Sequence, residues 1–209
     1  MAQPFWKLYP GVTARLVDGN REEIVARLLN GELDLAMMGA PPAGADITAI
    51  EFADHPTLVI AAPGHRLARK RKIPLAALAG ENFIGREEGS GTAALLARHF
   101  EAAGFHPRIA MTSSSNETIK QAVMAGMGVA VIPADTVGVE VALGSLGVLP
   151  VEGFPLMRRW CIAHRANLPL LPMHARLKAF FVEEGAAVVA GGIGAAGARS
   201  PGKSGKSIG

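Results

Sequence analysis

Cysteine is almost missing: Cys161 is the one thiol in 209 residues. An internal disulfide and a cysteine-rich zinc site are thereby excluded, and the composition fits a reducing compartment. Long apolar runs are missing too. Each breaks at a charge, a proline or a glycine, well short of the roughly 20 residues that span a bilayer. No basic start followed by an apolar stretch opens the chain, which reads as a soluble cytoplasmic protein without a membrane partner. Charge of one sign is scarce. The formal net charge is +3, part of it in Arg66-Arg69-Lys70-Arg71-Lys72 and in Arg199-Lys203-Lys206, too little and too scattered for a nucleic-acid face. The six histidines, at 55, 65, 99, 106, 164 and 174, show no metal-ligand spacing, so no metal is expected.

With 49% hydrophobic residues the chain can bury one large core or two small ones. Its most informative stretch is Arg86-Glu87-Glu88-Gly89-Ser90-Gly91-Thr92, a glycine loop between a short apolar strand (82–85) and a helix. Leu95, Leu96, His99, Phe100 and Ala103 form the apolar stripe of that helix. Backbone N–H groups at such a helix start lack partners. Ser90 or Thr92 can cap one of them, but the first turn (Ala93, Ala94, Leu95) supplies no carboxylate. The end therefore attracts an anion, for roughly 0.3–2 kcal/mol from the helix dipole, although an ordinary capped turn reads the same way.

In chain order, residues 4–9 close a helix at Pro10-Gly11, and Val12, Ala14 and Leu16 alternate as a strand. Asn20 with Glu23 makes a capping box for a helix carrying Ile24, Val25, Leu28 and Leu29, which Asn30-Gly31 stops. Residues 33–38 are a short apolar strand ending in a loop, so the opening reads as a parallel strand–helix–strand unit. Further strands are expected at 57–62, 108–111, 128–133 and 159–164. A short helix is expected near Leu75–Leu78, and a helix capped by Ser114 with Glu117, with Ile119, Ala122 and Val123 as its buried face. Leu177, Phe180 and Phe181 mark a final short helix, and the Gly/Ala/Lys-rich stretch 185–209 reads as a disordered tail.

Two literal phosphate-binding patterns lie in that tail, Gly192-x-Gly194-x-x-Gly197 and Gly197-x-x-x-x-Gly202-Lys203-Ser204. Both need a helix directly after the loop, and the remaining residues are too few to build it. Glu87-Glu88 could act as acid and base, yet adjacent side chains diverge, and Gly89-Ser90-Gly91 is not a nucleophile elbow. No residue pattern demands catalysis, and none is assigned.

Four stretches taken together resemble a known family: Glu32-Leu33-Asp34-Leu35-Ala36, the glycine loop 86–92, Ser115-Asn116-Glu117-Thr118-Ile119-Lys120-Gln121-Ala122-Val123, and Gly126-Met127-Gly128-Val129-Ala130-Val131-Ile132-Pro133. The chain resembles the effector-binding domain of LysR-type transcriptional regulators, and within them the Calvin-cycle (RuBisCO operon) regulators, from about Phe5 to Phe181. The resemblance implies an α/β fold of two Rossmann-like subdomains joined by two crossover strands, like a type 2 periplasmic binding protein. Subdomain one would be 1–62 plus 163–184 and subdomain two 63–162, with crossovers at 57–62 and 159–164.

The same resemblance implies an effector cleft lined by Met38, Gly39, Ala40, Pro41, Arg86, Glu87, Ser90, Gly91, Thr92, Ser115, Asn116, Glu117 and Thr118. The implied ligand is a small anionic metabolite, a phosphorylated sugar or NADPH, with no bound cofactor. The implied partner is a second copy in a homodimer or tetramer. The family's helix-turn-helix and first strand are not in this sequence, and its usual arginine after Gly-Ser-Gly-Thr is Ala93, so DNA contact would come through a segment outside it. The reading is thus an effector-sensing, dimerising domain, or a truncated regulator without function. A transporter's solute-binding protein and an enzyme of the same fold are the alternatives; the first needs an export signal and the second a pH-dependent turnover.

Overall fold

The computed structural model describes residues 3–197. In chain order its elements are α1 (Gln3–Leu8), α2 (Arg21–Leu29), β1 (Ala36–Met38), β2 (Ile47–Asp54), β3 (Thr57–Ala61), β4 (Asn82–Arg86) and α3 (Gly91–Ala102). They continue as β5 (Arg108–Ser113), α4 (Asn116–Met124), β6 (Val129–Pro133), α5 (Gly138–Leu143), β7 (Gly147–Leu149), β8 (Arg159–Arg165) and α6 (Pro172–Gly197), with 3-10 turns at Leu75–Leu78 and Ala134–Thr136.

The strands form two sheets. One holds three strands in the order β1-β8-β2, both outer strands antiparallel to β8. The other holds five in the order β5-β4-β6-β3-β7, in which β5, β4 and β6 run parallel and α3 and α4 make the crossovers. Alternation along β4 and β6 explains the second sheet's two cores. Phe83, Val129 and Val131 pack with Phe100 and Phe105 on one face, while Ile84, Ala130 and Ile132 pack with Ile119 and Val123 on the other. A sheet buried on both faces needs near-continuous apolar strands, which is why Val129–Pro133 reads as an unbroken run.

The chain passes between the sheets twice, and the two passes pair with each other. Thr57 N–H donates to Leu156 O at 3.0 Å, Leu156 N–H to Thr57 O at 3.1 Å, and His55 N–H to Arg158 O at 2.8 Å. Strand β3 itself lies wholly in the five-stranded sheet and β8 wholly in the three-stranded one.

Four expectations need correction. Residues 12–16 form no strand and Leu16 is 95% exposed, because a strand is stabilised by a neighbour and none is present here. The opening therefore lacks a parallel strand–helix–strand unit, and its second strand shrinks from 33–38 to Ala36–Met38. Helix α4 is capped by Ser115, not Ser114: Ser115 keeps an extended backbone and its hydroxyl accepts Thr118 N–H at 3.2 Å. The final helix is long, and residues 185–197 belong to it; residues 198–209 of the expected tail lie outside the described residues. Tertiary packing supports this extension. Gly185 lies so close to the Phe52 ring of β2 that a Cβ would sit 2.7 Å from it, and Val189 is buried beside Phe52 and Ile162. The Gly192–Gly197 pattern is thus helical rather than a loop, and the second pattern ends beyond the described residues.

Candidate functional site

The carboxyl ends of the three parallel strands converge where a doubly wound sheet binds ligands. Strand β4 ends at Arg86 and feeds the glycine loop, β5 ends at Ser113 before the α4 cap, and β6 ends at Pro133 just ahead of Asp135. The loop itself turns at Gly89, whose φ of 82° favours glycine, and Ser90 then caps α3 by accepting Thr92 N–H at 3.2 Å. Ser90 and Thr92 are both buried. Among the described residues no backbone acceptor meets the N–H of Gly91 or Ala93, so this helix end stays open to an acceptor.

Helix α2 brings the first subdomain to the same loop. Its Asn20–Glu23 capping box forms as expected, and Glu22 N–H donates to Gly89 O at 3.3 Å. Arg21 follows the cap, and a Cβ on Gly91 would lie 3.5 Å from its stem and 3.8 Å from the Arg158 guanidinium. Any side chain in place of Gly91 would occupy the space between these two cations.

Arg158 is the residue that the sequence reading missed. It sits on the second crossover segment, 66 positions from Thr92, and its Nη2 donates to Thr92 Oγ1 at 3.3 Å. Its Nε is buried without a partner. Burial pushes its pKa down, and the charges of Arg21 and Arg86 push the same way while Asp135 opposes them. Two guanidinium groups, those of Arg21 and Arg158, thus flank an open helix N-terminus, an arrangement that suits an incoming anion.

Arg86 is held by its neighbours in the loop and on α4. Its guanidinium grips Glu87 through two bonds, Nε to Oε2 at 2.9 Å and Nη2 to Oε1 at 3.1 Å, and its Nη1 donates to Asn116 Oδ1 at 2.9 Å. Burial pushes the Glu87 pKa up, but hydrogen bonds from Arg86, its own backbone and Asn20, with the Arg86 charge, bring it below the usual range. Arg86 therefore braces the glycine loop against α4, with most of its bonding capacity already used.

The structure brings Arg86, Glu87, Ser90, Gly91, Thr92 and Asn116 together, with Ser115 capping the neighbouring helix. Glu117 and Thr118 are exposed, and Glu117 pairs with Lys120 at 2.8 Å. Met38 is buried in the core of the first subdomain, with Ile24, Leu28, Ala36 and Ala163. Gly39, Ala40 and Pro41 follow it in a loop, and among the described residues no hydrogen bond joins them to the glycine loop.

Behind Arg158 lies a second polar group that the sequence did not single out. Asp135 Oδ2 accepts the Trp160 Nε1–H at 3.2 Å and faces His55 Nδ1 at 3.8 Å. The His55 and Trp160 rings lie against each other with centroids 3.9 Å apart and planes tilted by 41°. Burial, then the Arg158 charge, pushes the His55 pKa from 6.5 down to about 3, so the ring is neutral. Burial raises the pKa of Asp135, although Trp160, its own backbone and Arg158 oppose that. A period-2 reading of the segment entering β8 would have put Arg158 and Trp160 on one face, but nothing local marks that face as a site.

The model of the LysR substrate binding domain matches residues 1–186. The chain belongs to this family. The HTH-type transcriptional regulator CbbR of Xanthobacter flavus is 45% identical over 184 residues, 87% of this chain and 55% of that protein. The RuBisCO operon transcriptional regulator of Allochromatium vinosum is 40% identical over 182 residues, 87% of this chain and 60% of that protein. The LysR substrate-binding domain here thus spans little more than half the length of these relatives. Among solved structures, the Synechocystis PCC6803 CcmR regulatory domain in complex with 2-PG has a TM-score of 0.82 and 36% identity, covering 89% of this chain and 88% of that one. The LysR effector-domain fold, periplasmic-binding-protein-like, agrees with the sequence expectation.

Proposed function

We propose that this LysR substrate-binding domain senses a small phosphorylated anion at the N-terminus of α3 and passes its occupancy to a transcriptional regulator of carbon-fixation genes. One observation carries the reading. The Arg158 guanidinium, half-buried and with its inaccessible Nε unpartnered, reaches Thr92 at an open helix end that Arg21 also flanks. A phosphate would meet the free amides of α3 and the guanidinium together, the pairing that bidentate arginine suits.

The relatives support the biological setting: one is named for the RuBisCO operon, and one related domain was solved with 2-PG. The reading extends to a cytoplasmic regulator that pairs with a second copy of itself and contacts DNA through a part of the polypeptide outside residues 1–209. It assigns the domain no catalytic step. The anion would shift the balance between two relative placements of the sheets, since only a ligand with unequal affinity for two states can signal.

Isothermal titration calorimetry with 2-PG, inorganic phosphate, a phosphorylated sugar and NADPH tests the reading. The expected result is saturable binding of at least one phosphorylated compound, weakened by raised salt. A folded protein that binds none of them would overturn it.

A further inference from the structure

Arg158 and Trp160 stand two residues apart on one extended segment and so project to the same side of it. The first reaches Thr92 of α3, in the five-stranded unit; the second donates to Asp135, just past the end of β6. His55, on the other crossover segment, lies against Trp160 and is backbone-bonded to Arg158. The cluster thus joins both crossovers, the start of β8 and the carboxyl end of the parallel strands.

Its hydrogen bonding is incomplete. His55 Nδ1, Asp135 Oδ1 and Arg158 Nε are all buried without a partner, although His55 is only 3% exposed. Buried groups left in that condition are costly, so a small displacement that pairs them is favoured.

We propose that Asp135, through its bond to Trp160, carries occupancy of the α3 site from Arg158 to the crossover between the two sheets. This rests on the anion reading of that site. When an anion arrives, the guanidinium turns toward it, and residues 158–160 move as one extended unit. Trp160 is then displaced against Asp135 and His55, at the point where the chain leaves one sheet for the other. Removing the acceptor at Asp135 leaves the anion site in place and uncouples the response.

Trp160 is one of two tryptophans, so Trp6→Phe makes its emission the sole indole signal. Calorimetry and Trp160 fluorescence are recorded together on Trp6→Phe and on Trp6→Phe/Asp135→Leu, which has no acceptor for the Trp160 N–H, each titrated with inorganic phosphate and with 2-PG. In the first protein, binding is expected to change Trp160 emission with the same midpoint as the heat. In the second, binding is expected to persist and the emission change to vanish; an emission change that survives there overturns the proposal. Binding without an emission change in the first protein overturns the coupling but leaves the anion site standing. Binding of neither anion overturns the site reading and the coupling with it. If Asp135→Leu does not fold, Trp160→Phe, which keeps a ring beside His55 and drops the N–H donor, is read through the backbone amide shifts of β2. Ligand-induced shifts there that match the parent protein overturn the proposal.

Discussion

At the scale of single residues, Arg158 outranks every residue of the glycine loop. Arg158→Met should lower affinity for a phosphorylated ligand at least tenfold, about 1.4 kcal/mol or more, because it removes the half-buried cation and leaves Thr92 Oγ1 without its donor. Calorimetry measures the loss directly. Arg86→Met should behave differently: its guanidinium is committed to Glu87 and Asn116, so the main effect should be a lower melting temperature with the loop loosened. Thr92→Val, which is nearly isosteric, should weaken binding while far-UV dichroism stays unchanged; unchanged affinity would remove this side chain from the site. The loop was legible because a cap and a missing first-turn carboxylate are local facts of spacing. Arg158 was not legible, since its partner is 66 residues away and only folding makes them neighbours. Ser114 and Ser115 show the limit of local reading from the other side. Either serine could cap, and the backbone angle at Ser115 decided between them.

At the scale of elements, caps and glycines separate local from tertiary control. Asn20→Ala should cost about 1 kcal/mol, because both halves of the capping box exist and the helix start it holds also touches Gly89. Denaturant unfolding reads this as a lower midpoint at constant slope. Gly128→Ala should cost considerably more, since a Cβ there runs into the Asn82 carbonyl, which is backbone and cannot swing aside. Helix α2 was readable almost to the residue because cap, apolar stripe and Asn30-Gly31 stop agree. Strands were not, because a strand is half of a pairing. Val12, Ala14 and Leu16 have the alternation without the partner, whereas β2 lacks a clean alternation and forms because β8 lies beside it. The end of α6 was misread for a related reason: the composition of residues 185–197 suggests disorder, and contact with β2 holds the helix.

At the scale of the whole molecule, the crossover region should make stability depend on pH. The unfolded chain takes up a proton at His55 near pH 6.5, while the folded chain refuses it until about pH 3. The corresponding stability is complete above 6.5 and is lost as pH falls from 6.5 toward 3, by up to ~1.4 kcal/mol per pH unit. Asp135 works the other way at the acid end. Its raised pKa means the folded chain binds that proton more readily, which partly offsets the loss. Urea midpoints should therefore decline steadily from pH 7 to 5, and His55→Gln should flatten that decline. No helix among the described residues is long and apolar enough to cross a membrane.

What the sequence by itself determined follows from short-range physics. Helix caps, buried parallel strands and an open helix end are each set by neighbours within a few positions, and together they were enough to suggest the family. What only the tertiary structure decided are the contacts between segments far apart in the chain. The folded chain gathers Arg21, His55, Asp135, Arg158 and Trp160 around one helix end and the two crossover segments, from four separate places in the sequence. Burial then gives each of them its meaning. An exposed arginine or histidine would be ordinary, but partly withdrawn from water the arginine becomes a cation suited to an anion, and the buried histidine becomes a neutral ring between the crossover segments.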